Sequence, residues 1–420
     1  GYVGCHKATY VRRFSMLDNI REGGTFVINC PWNDEALVRN IPLEMRKTIS
    51  AKKIRLYVID ADAIAAKVGL APRINMPMET VFLYLSGIIP FATAYPALQD
   101  TIRATYAHEG NEVVERNLKA ISMATGALRE VDYAAIKGWD SEPEVPVTYL
   151  DIFRNDAQRR FIETIHRPCI KGKGDSIPVS AFTPDGTMPM GSTAFEHRRI
   201  ATIVPVWDAD RCVECTECSL VCPHAAIRPF LLDAEEAAKA PEGFVTKEAK
   251  GAPALKGLRF RIQNYPADCL GCSSCSIICP GHALTMTPID EVIDRELPLC
   301  EWARTNVRPK ENLLPASTVN GSQLQTPLLE FSGACGGCGE TPYVKLLTQL
   351  FGRRLILANA TGCSSIWGAA YPSNPYCTDA DGRGPAWGNS LFEDNAEYGF
   401  GILTAVNHRR ARVERQVREL

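Results

Sequence analysis

Eight of the sixteen cysteines in this 420-residue sequence repeat one spacing pattern. The first copy consists of Cys212, Cys215, Cys218, Cys222 and Pro223. The second copy consists of Cys269, Cys272, Cys275, Cys279 and Pro280. Both copies have the form C-x-x-C-x-x-C-x-x-x-C-P, which is typical of ligands to 4Fe–4S clusters. A cubane cluster needs four thiolates at its corners, and three cysteines spaced two residues apart on a coiled loop can reach three of them.

In proteins that hold two such clusters, the fourth cysteine of each motif binds the other cluster. We therefore predict that one cluster is bound by the first quartet, which is Cys212, Cys215, Cys218 and Cys279. A second cluster is predicted on the second quartet, which is Cys269, Cys272, Cys275 and Cys222. Zinc sites and disulfides are the alternatives, but zinc sites usually need only C-x-x-C pairs that lie far apart. Two identical quartets fit clusters better.

Short apolar segments flank both motifs, at residues 203–206, 226–230, 260–262 and 283–286. Strand, cluster loop, helix and strand thus follow one another twice, which predicts a domain of the bacterial ferredoxin type over residues 203–290. The stretch between the motifs is longer than a minimal ferredoxin needs. We predict a surface insertion there, with a helix at 233–240 and a Lys/Gly-rich loop at 245–257.

A second type of cysteine pattern lies nearer the C-terminus. Cys335 and Cys338 form a C-x-x-C pair flanked by glycines, and Cys363 follows a predicted strand in the turn Thr361-Gly362-Cys363. These three cysteines are candidates for a third cluster, and they are called the third site below. A thioredoxin-like dithiol and a zinc site are the competing interpretations. Cys377 is a candidate fourth ligand, although it lies in a proline-rich loop.

The remaining sequence predicts an α/β multidomain protein into which the α+β ferredoxin-type domain is inserted. Residues 1–135 alternate strands (25–29, 53–60) and helices (61–68, 79–89, 111–125), which suggests a parallel sheet covered by helices. Residues 136–202 are proline-rich and predict a connecting domain. Residues 291–330 predict a linker with Trp302 as its only large anchor. Residues 331–420 begin a new α/β domain, with a helix capped by Thr341 and a strand at 355–358.

The composition is that of an ordinary globular protein, with 45% hydrophobic residues, 22% charged residues and a formal net charge of -2. We therefore expect no nucleic-acid partner. No apolar run has the length that spanning a membrane requires, so we expect no membrane partner. The cysteines lack the dense framework of a small secreted domain, which favours a reducing compartment. Because the sequence starts at Gly1 and stops in a basic segment, we expect a piece of a longer protein.

Several longer motifs resemble one family, the pyruvate:ferredoxin oxidoreductases. They are GYVGCH (1–6), GGTF (23–26), KGKGDSIPVSAF (171–182), GACGGCGETPY (333–343), TGCSS (361–365) and NSLFEDNAE (389–397). The resemblance implies a cut gamma-type domain at 1–135, the connecting domain, the ferredoxin-type domain and the start of a thiamine-binding domain at 331–420. Where the family usually has Glu-Lys-Arg, this chain has Glu196-His197-Arg198, a change that we expect at a polar surface position.

The resemblance also implies cofactors and an activity. Three 4Fe–4S clusters are implied, the third on Cys335, Cys338 and Cys363 with a fourth ligand beyond Leu420. Thiamine diphosphate and Mg2+ are implied for the complete enzyme, with Thr361, Cys363 and Asn389 near them. The implied reaction is oxidative decarboxylation of pyruvate with coenzyme A to acetyl-CoA and CO2, in a cytoplasmic homodimer. The implied electron acceptor is ferredoxin or flavodoxin. We assign no catalytic residue in this chain and expect it to be inactive alone.

Two other functions stay open at this point. The first is oxidation of a different 2-oxoacid, such as 2-oxoglutarate or indolepyruvate, because substrate choice is set outside these residues. The second belongs to a different class, a stand-alone iron–sulfur protein that transfers electrons without catalysis. Sequence beyond Leu420 distinguishes the enzyme from the carrier protein, since the enzyme needs a Gly-Asp-Gly motif and one more cysteine there.

Overall fold

The computed structural model describes residues 1–145 and 151–420. The chain divides into two compact units. The first comprises Gly1–Thr148 with Ile170–Lys173, and the second comprises Tyr149–Cys169 with Gly174–Leu420. Among the described residues, no helix combines the length and the hydropathy needed to cross a lipid bilayer.

The first unit contains a four-stranded sheet in the order β1-β2-β3-β4. Its strands are β1 (Tyr2–Cys5), β2 (Thr25–Asn29), β3 (Arg55–Ile59) and β4 (Arg129–Glu130). Phe26 and Ile28 belong to one buried apolar cluster, and Val27 between them belongs to another. Both faces of β2 are therefore covered, which explains its continuous apolar sequence. The expected parallel sheet is confirmed for β1 to β3, whereas the short β4 runs antiparallel to β3.

Seven helices accompany this sheet. They are α1 (Tyr10–Arg13), α2 (Asp34–Asn40), α3 (Leu43–Ala51), α4 (Ala61–Lys67), α5 (Asn75–Ser86), α6 (Phe91–Tyr106) and α7 (Asn111–Ala127). The bounds predicted for the helix at 79–89 were wrong. This helix starts at Asn75 and ends before Gly87, whose φ of 62° places it in the left-handed conformation that commonly terminates helices.

The second unit contains three small sheets. Their strands are β5 (Ile203–Trp207), β6 (Ile227–Leu232), β7 (Lys247–Glu248), β8 (Arg259–Asn264), β9 (Leu284–Pro288), β10 (Ile356–Ala360) and β11 (Ala386–Ser390). Strand β5 pairs antiparallel with β9, and the sheet β6-β8-β7 is also antiparallel. Strands β10 and β11 are parallel. The four strands predicted beside the cysteine motifs are confirmed, each within two residues at either end.

Ten helices follow residue 155. They are α8 (Asp156–Phe161), α9 (Arg167–Ile170), α10 (Glu217–Leu220), α11 (Ala234–Ala238), α12 (Ser274–Ile278), α13 (Ile293–Asn306), α14 (Val319–Gln323), α15 (Thr341–Phe351), α16 (Cys363–Ala369) and α17 (Asn395–Glu419). The segment expected to be a linker contains α13, which buries Ile293, Leu299 and Cys300. An internal Pro298 concealed the helical pattern in the sequence.

Candidate iron–sulfur centres

The two cysteine motifs occupy equivalent places in the chain. The first lies between β5 and β6, and the second lies between β8 and β9. Each motif follows a strand, and its third cysteine lies on a short helix. Cys218 is on α10 and Cys275 is on α12. The duplication extends to the backbone, because residues with positive φ recur 57 positions apart. These pairs are Glu214 and Gly271, Thr216 and Ser273, and Ala225 and His282. The two loops therefore coil in the same way around their cysteines.

Cys279 of the second motif lies close enough to Cys215 and Cys218 of the first motif to affect their pKa. Burial raises the pKa of Cys218, and the thiols of Cys215, Cys212 and Cys279 raise that pKa further because they are close enough to interact with it. The pKa of Cys215 is also raised, first by burial and then by neighbours that include Cys279 and Cys212. These four thiols form a group whose charged forms repel one another, which is an arrangement that a cationic centre would stabilise.

The second quartet is arranged in the same manner. Burial raises the pKa of Cys269, and Cys222, Cys275 and Cys272 raise it further. A cavity lies between these residues, and all four cysteines of the second quartet line it. The remaining lining is mainly apolar and includes Pro205, Ile227, Leu270 and Met286. A cavity enclosed by four thiols and apolar side chains suits a thiolate-bound, water-shielded inorganic group.

Backbone N–H groups are directed at the sulfur atoms. Ala226 N donates to Cys222 Sγ at 3.3 Å, and at the equivalent position Ala283 N donates to Cys279 Sγ at 3.3 Å. Gly271 N donates to Cys269 Sγ at 3.4 Å. Such hydrogen bonds favour the ionised sulfur and tune the potential of a cluster bound to it.

Binding of a single metal ion requires a different arrangement of ligands from binding of a cubane cluster. Within the described ranges, no group of three or more His, Cys, Asp or Glu side chains is placed so that it could hold a single ion. Zinc needs its four ligands on one atom. A cubane cluster instead binds each cysteine to a different iron, which sets the sulfur atoms farther apart.

The insertion between the motifs packs on the first cysteine loop. Lys247 Nζ donates to the carbonyl oxygens of Ala209 and Cys212, at 2.9 and 2.7 Å, and lies 3.8 Å from Glu214 Oε1. Glu214 Oε2 accepts a hydrogen bond from Lys250 N. The predicted loop at 245–257 was therefore wrong in part, since it contains the strand β7. The helix predicted at 233–240 is present as α11, capped by Asp233 and Glu236.

The third site lies in the last part of the second unit. Cys335 and Cys363 are exposed and Cys338 is partly buried, and Cys363 begins α16. Cys377, the candidate fourth ligand, is fully enclosed elsewhere, and its thiol donates to the carbonyl oxygen of Pro327 at 3.5 Å. As for the two quartets, these cysteines do not form a group that could hold a single metal ion within the described residues.

Thr361 and Asn389 meet at the carboxyl ends of β10 and β11. Asn389 Nδ2 donates to Thr361 Oγ1 at 3.5 Å, and Thr361 Oγ1 donates to the carbonyl oxygen of Ser390. Asn359, which the sequence analysis did not single out, donates to Asn389 Oδ1 at 2.9 Å. Ligands of parallel sheets bind at such strand ends, so the expected cofactor residues share one exposed edge.

His224 connects the second quartet with the third site, although no motif in the sequence singles it out. It follows Cys222 by two residues, and its Nε2 lies 3.2 Å from the carbonyl oxygen of Cys335. Its Nδ1 lies 3.3 Å from Ser332 Oγ. Burial lowers the pKa of His224 to about 4, so the ring is neutral. Nδ1 also lies 3.1 Å from the carbonyl oxygen of Ser332, so each ring nitrogen faces a backbone carbonyl oxygen of the segment that leads to the third site.

Glycine brings the C-x-x-C loop close to the second quartet. A methyl group placed on Gly336 would lie 3.5 Å from Cβ of Cys272. Gly337, with φ of 76°, approaches the same residue at 3.8 Å. The glycines that flank these cysteines therefore let two backbone segments pack directly, and the third site is a neighbour of the second quartet.

Family models match residues in both units. Residues 1–127 match the model described as pyruvate ferredoxin/flavodoxin oxidoreductase. Residues 208–283 match a 4Fe-4S dicluster domain, and residues 152–201 match a domain of unknown function that carries the label EKR. The structure is thus a mixed α/β protein with a dicluster domain of the ferredoxin type.

Whole-chain relatives extend this match. The chain is 47% identical to the pyruvate:ferredoxin oxidoreductase of Moorella thermoacetica. The aligned region covers 97% of this chain and 34% of that protein. The expected resemblance is confirmed. The chain is 42% identical to the pyruvate-flavodoxin oxidoreductase of Enterobacter agglomerans over 99% of its length. It is 46% identical to the mitochondrial pyruvate dehydrogenase [NADP(+)] of Euglena gracilis, covering 98% of the chain and 22% of that relative. The chain therefore spans about a third or less of these curated relatives.

The Glu196-His197-Arg198 segment lies within the residues that match the EKR model, and it contacts the chain just before the third site. Arg198 Nε binds Glu196 Oε2 at 2.7 Å, and its Nη1 donates to the carbonyl oxygens of Phe331 and Ser332. His197 was expected at a polar surface position, which is wrong, since its side chain is only 12% exposed and faces Asp268. The segment thus positions residues that contact His224.

Proposed function

We propose that this chain supplies the electron-transfer part of a pyruvate:ferredoxin oxidoreductase, and part of the wall around its thiamine diphosphate. The complete enzyme would convert pyruvate and coenzyme A to acetyl-CoA and CO2 and reduce ferredoxin or flavodoxin. The observation that carries the proposal is the cavity lined by all four cysteines of the second quartet, one of which comes from the first motif. The relatives named for this reaction support it.

The residues present fit two 4Fe–4S clusters, one on each quartet, and three ligands of a third. When bound, these clusters would carry electrons one at a time from the third site to the acceptor. The chain's own residues determine their order. Gly336 and His224 connect the third site to the second quartet. The first quartet is therefore proposed as the exit toward the external carrier.

The edge formed by β10 and β11 is proposed to face thiamine diphosphate and its Mg2+. Thr361 and Asn389 are exposed there and hydrogen-bonded to each other, beside Cys363 at the start of α16. The cofactor would act as the electron sink for decarboxylation. We propose no catalytic residue among those of this chain, because the neutral side chains at this edge supply orientation and not acid–base chemistry.

The finer organisation is proposed on the same basis. The ferredoxin-type domain is an insertion into a multidomain α/β enzyme, with a connecting domain before it. A homodimer and a cytoplasmic location are also proposed, the second because free thiols and clusters persist in a reducing compartment.

Anaerobic reconstitution with iron and sulfide tests the proposal. We expect about eight irons per chain, with EPR spectra of two interacting 4Fe–4S centres after reduction by dithionite. About twelve irons would show that a local cysteine completes the third site. Zinc in place of iron, or fewer than about four irons, would contradict the electron-transfer function.

A further inference from the structure

Lys345 on α15 is a buried cation that lies beside both quartets. Its side chain is within the interior, with 1% of the residue exposed. Its ammonium donates to the carbonyl oxygens of Ser219, Leu220 and Cys222, the last two at 3.3 Å. These carbonyls lie at and just after the C-terminal end of α10.

The three acceptors match the donors of an ammonium group in number. An ammonium has three N–H donors and no acceptor, and each of its donors here has one carbonyl oxygen as a partner. A neutral amine would direct its lone pair at one of these oxygen atoms. This set of three carbonyl acceptors fits the three donors of the protonated side chain.

No carboxylate neutralises this charge. Within residues 1–145 and 151–420, no Asp or Glu oxygen lies within 4.0 Å of Lys345 Nζ, and its favourable electrostatic neighbours are Cys222 of the second quartet and then Cys218 of the first. Lys247 offers a contrast. It also binds the carbonyl oxygen of a ligand cysteine, but it is paired with Glu214. The charge of Lys345 is thus left to act on the sulfur atoms.

The internal duplication shows that the position of Lys345 is not part of the repeated fold. The residues equivalent to Ser219, Leu220 and Cys222 lie 57 positions later and are Ser276, Ile277 and Cys279. Ile277 is 81% exposed, and in the described part of the chain no lysine donates to these carbonyls. The cation is therefore present at one of two equivalent helix ends, and it reaches that end from outside the ferredoxin-type domain.

We propose that Lys345 is a positioning residue that raises the reduction potentials of both clusters, and that of the cluster on the second quartet more. Reduction adds one electron and hence one negative charge to a cluster, with no bond made or broken, and a fixed cation nearby stabilises the reduced state. This inference rests on the proposed function, since it assumes that the quartets bind clusters.

The test is a potentiometric titration monitored by EPR, performed on the reconstituted chain and on Lys345→Met, Lys345→Gln and Lys345→Arg variants. Iron and sulfide are counted first. In Lys345→Met and Lys345→Gln we expect about a tenfold fall in the equilibrium constant for reducing the more affected cluster, which is about 59 mV for a one-electron couple. Lys345→Arg should stay close to the native potentials. Lys256→Met, at an exposed position of the ferredoxin-type domain, should leave both potentials unchanged.

The outcomes separate the two proposals. Native chain that binds no clusters would overturn the proposed function. Fully loaded Lys345→Gln with unchanged potentials would overturn the inference alone, because glutamine keeps hydrogen-bond donors and removes only the charge. If the Lys345→Met variant does not assemble its clusters, the potentials of the Gln and Arg variants still decide between the explanations. Equal shifts of potential in both variants would mean that packing and not charge is responsible.

Discussion

Cys222 and Cys279 each belong to one motif by sequence and to the other quartet by position. Cys222 raises the pKa of Cys269 and Cys275, and Cys279 raises that of Cys215 and Cys218. Each also accepts a backbone hydrogen bond from the residue four positions later. In the proposed arrangement this exchange ties the two halves of the domain together, because each cluster takes its ligands from both motifs.

Double substitutions test this exchange. Cys222→Ser with Cys272→Ser should lose one cluster and keep about four irons per chain, because both residues belong to the second quartet. Cys222→Ser with Cys215→Ser should lose both clusters. Iron and sulfide analysis after anaerobic reconstitution measures the difference. Cys300→Ser removes a buried cysteine that binds only a carbonyl oxygen and should keep both clusters; equal losses in the two double variants would contradict the exchange.

The proposed ligand cysteines could be selected from the sequence, because cluster binding requires cysteines at short and regular spacings along the chain. Lys345 and His224 could not, since each acts through contacts more than 100 residues away. In α15 the pattern of apolar residues indicates the wrong buried face. Its buried residues are Thr341, Lys345, Thr348 and Gln349, whereas Tyr343, Leu347 and Phe351 are exposed. A rule that places apolar residues inside would have assigned the opposite face.

At the scale of elements, the cluster loops depend on residues in the left-handed conformation. Gly271 is one of them, with φ of 69°, and a methyl group there would lie 2.7 Å from the carbonyl oxygen of Ile203 on β5. The equivalent residue in the first loop is Glu214, which holds the same conformation with hydrogen bonds to the insertion. Glycine is thus needed only where the second loop passes against a strand.

Gly271→Ala should therefore destabilise the protein through both strain and collision. We expect it to cost about 3 kcal/mol, compared with about 1 kcal/mol for Gly257→Ala, which has φ of 82° and open space around it. The apparent melting temperature of the reconstituted chain, followed anaerobically by circular dichroism, should fall more for Gly271→Ala. Equal melting temperatures for the two variants would mean that β5 moves aside at little cost.

Elements with a strong local pattern were predicted well, and those determined by distant contacts were not. Strand β2 has the predicted bounds because a continuous apolar run needs cover on both faces. Helix α15 ends at Phe351 as expected, but Glu340 and not Thr341 is its N-cap residue. Strand β7 was missed because its two residues are ordered by pairing with β8 rather than by β propensity.

At the scale of the whole second unit, a buried ion network joins segments that are distant in sequence. Glu330 is 5% exposed and binds Arg228 Nη2 of β6 at 2.5 Å and Arg304 Nη2 of α13 at 3.3 Å. Arg228 also lies over the rings of Tyr265 and Phe331, at 4.9 and 5.1 Å. The network holds the segment that leads to the third site in place. Arg228 and Glu330 are 102 residues apart, so no local sequence pattern predicts their contact.

The network gives the stability of this unit a defined pH dependence. Burial raises the pKa of Glu330, but Arg304 and Arg228 lower it by more, so its pKa is below the usual value of 4.5. The folded state therefore binds this proton less readily than the unfolded state, and the stabilisation is present above pH 4.5 and lost as the pH falls below it. Glu330→Gln leaves the guanidinium group of Arg228, which is largely enclosed, and that of Arg304, which is partly exposed, without their carboxylate, and this should cost about 3 kcal/mol at pH 7.

Urea unfolding at several pH values checks this expectation. The difference between native chain and Glu330→Gln should be constant from pH 7 to pH 5 and should narrow as the pH falls below the ordinary pKa of the carboxyl group, because the native chain then also loses its charge at this site. Glu242→Gln, at an exposed position, should match the native chain throughout. If the Glu330→Gln difference stayed the same at acidic pH, shape and hydrogen bonding at this position would account for the stability and the ion pairs would not.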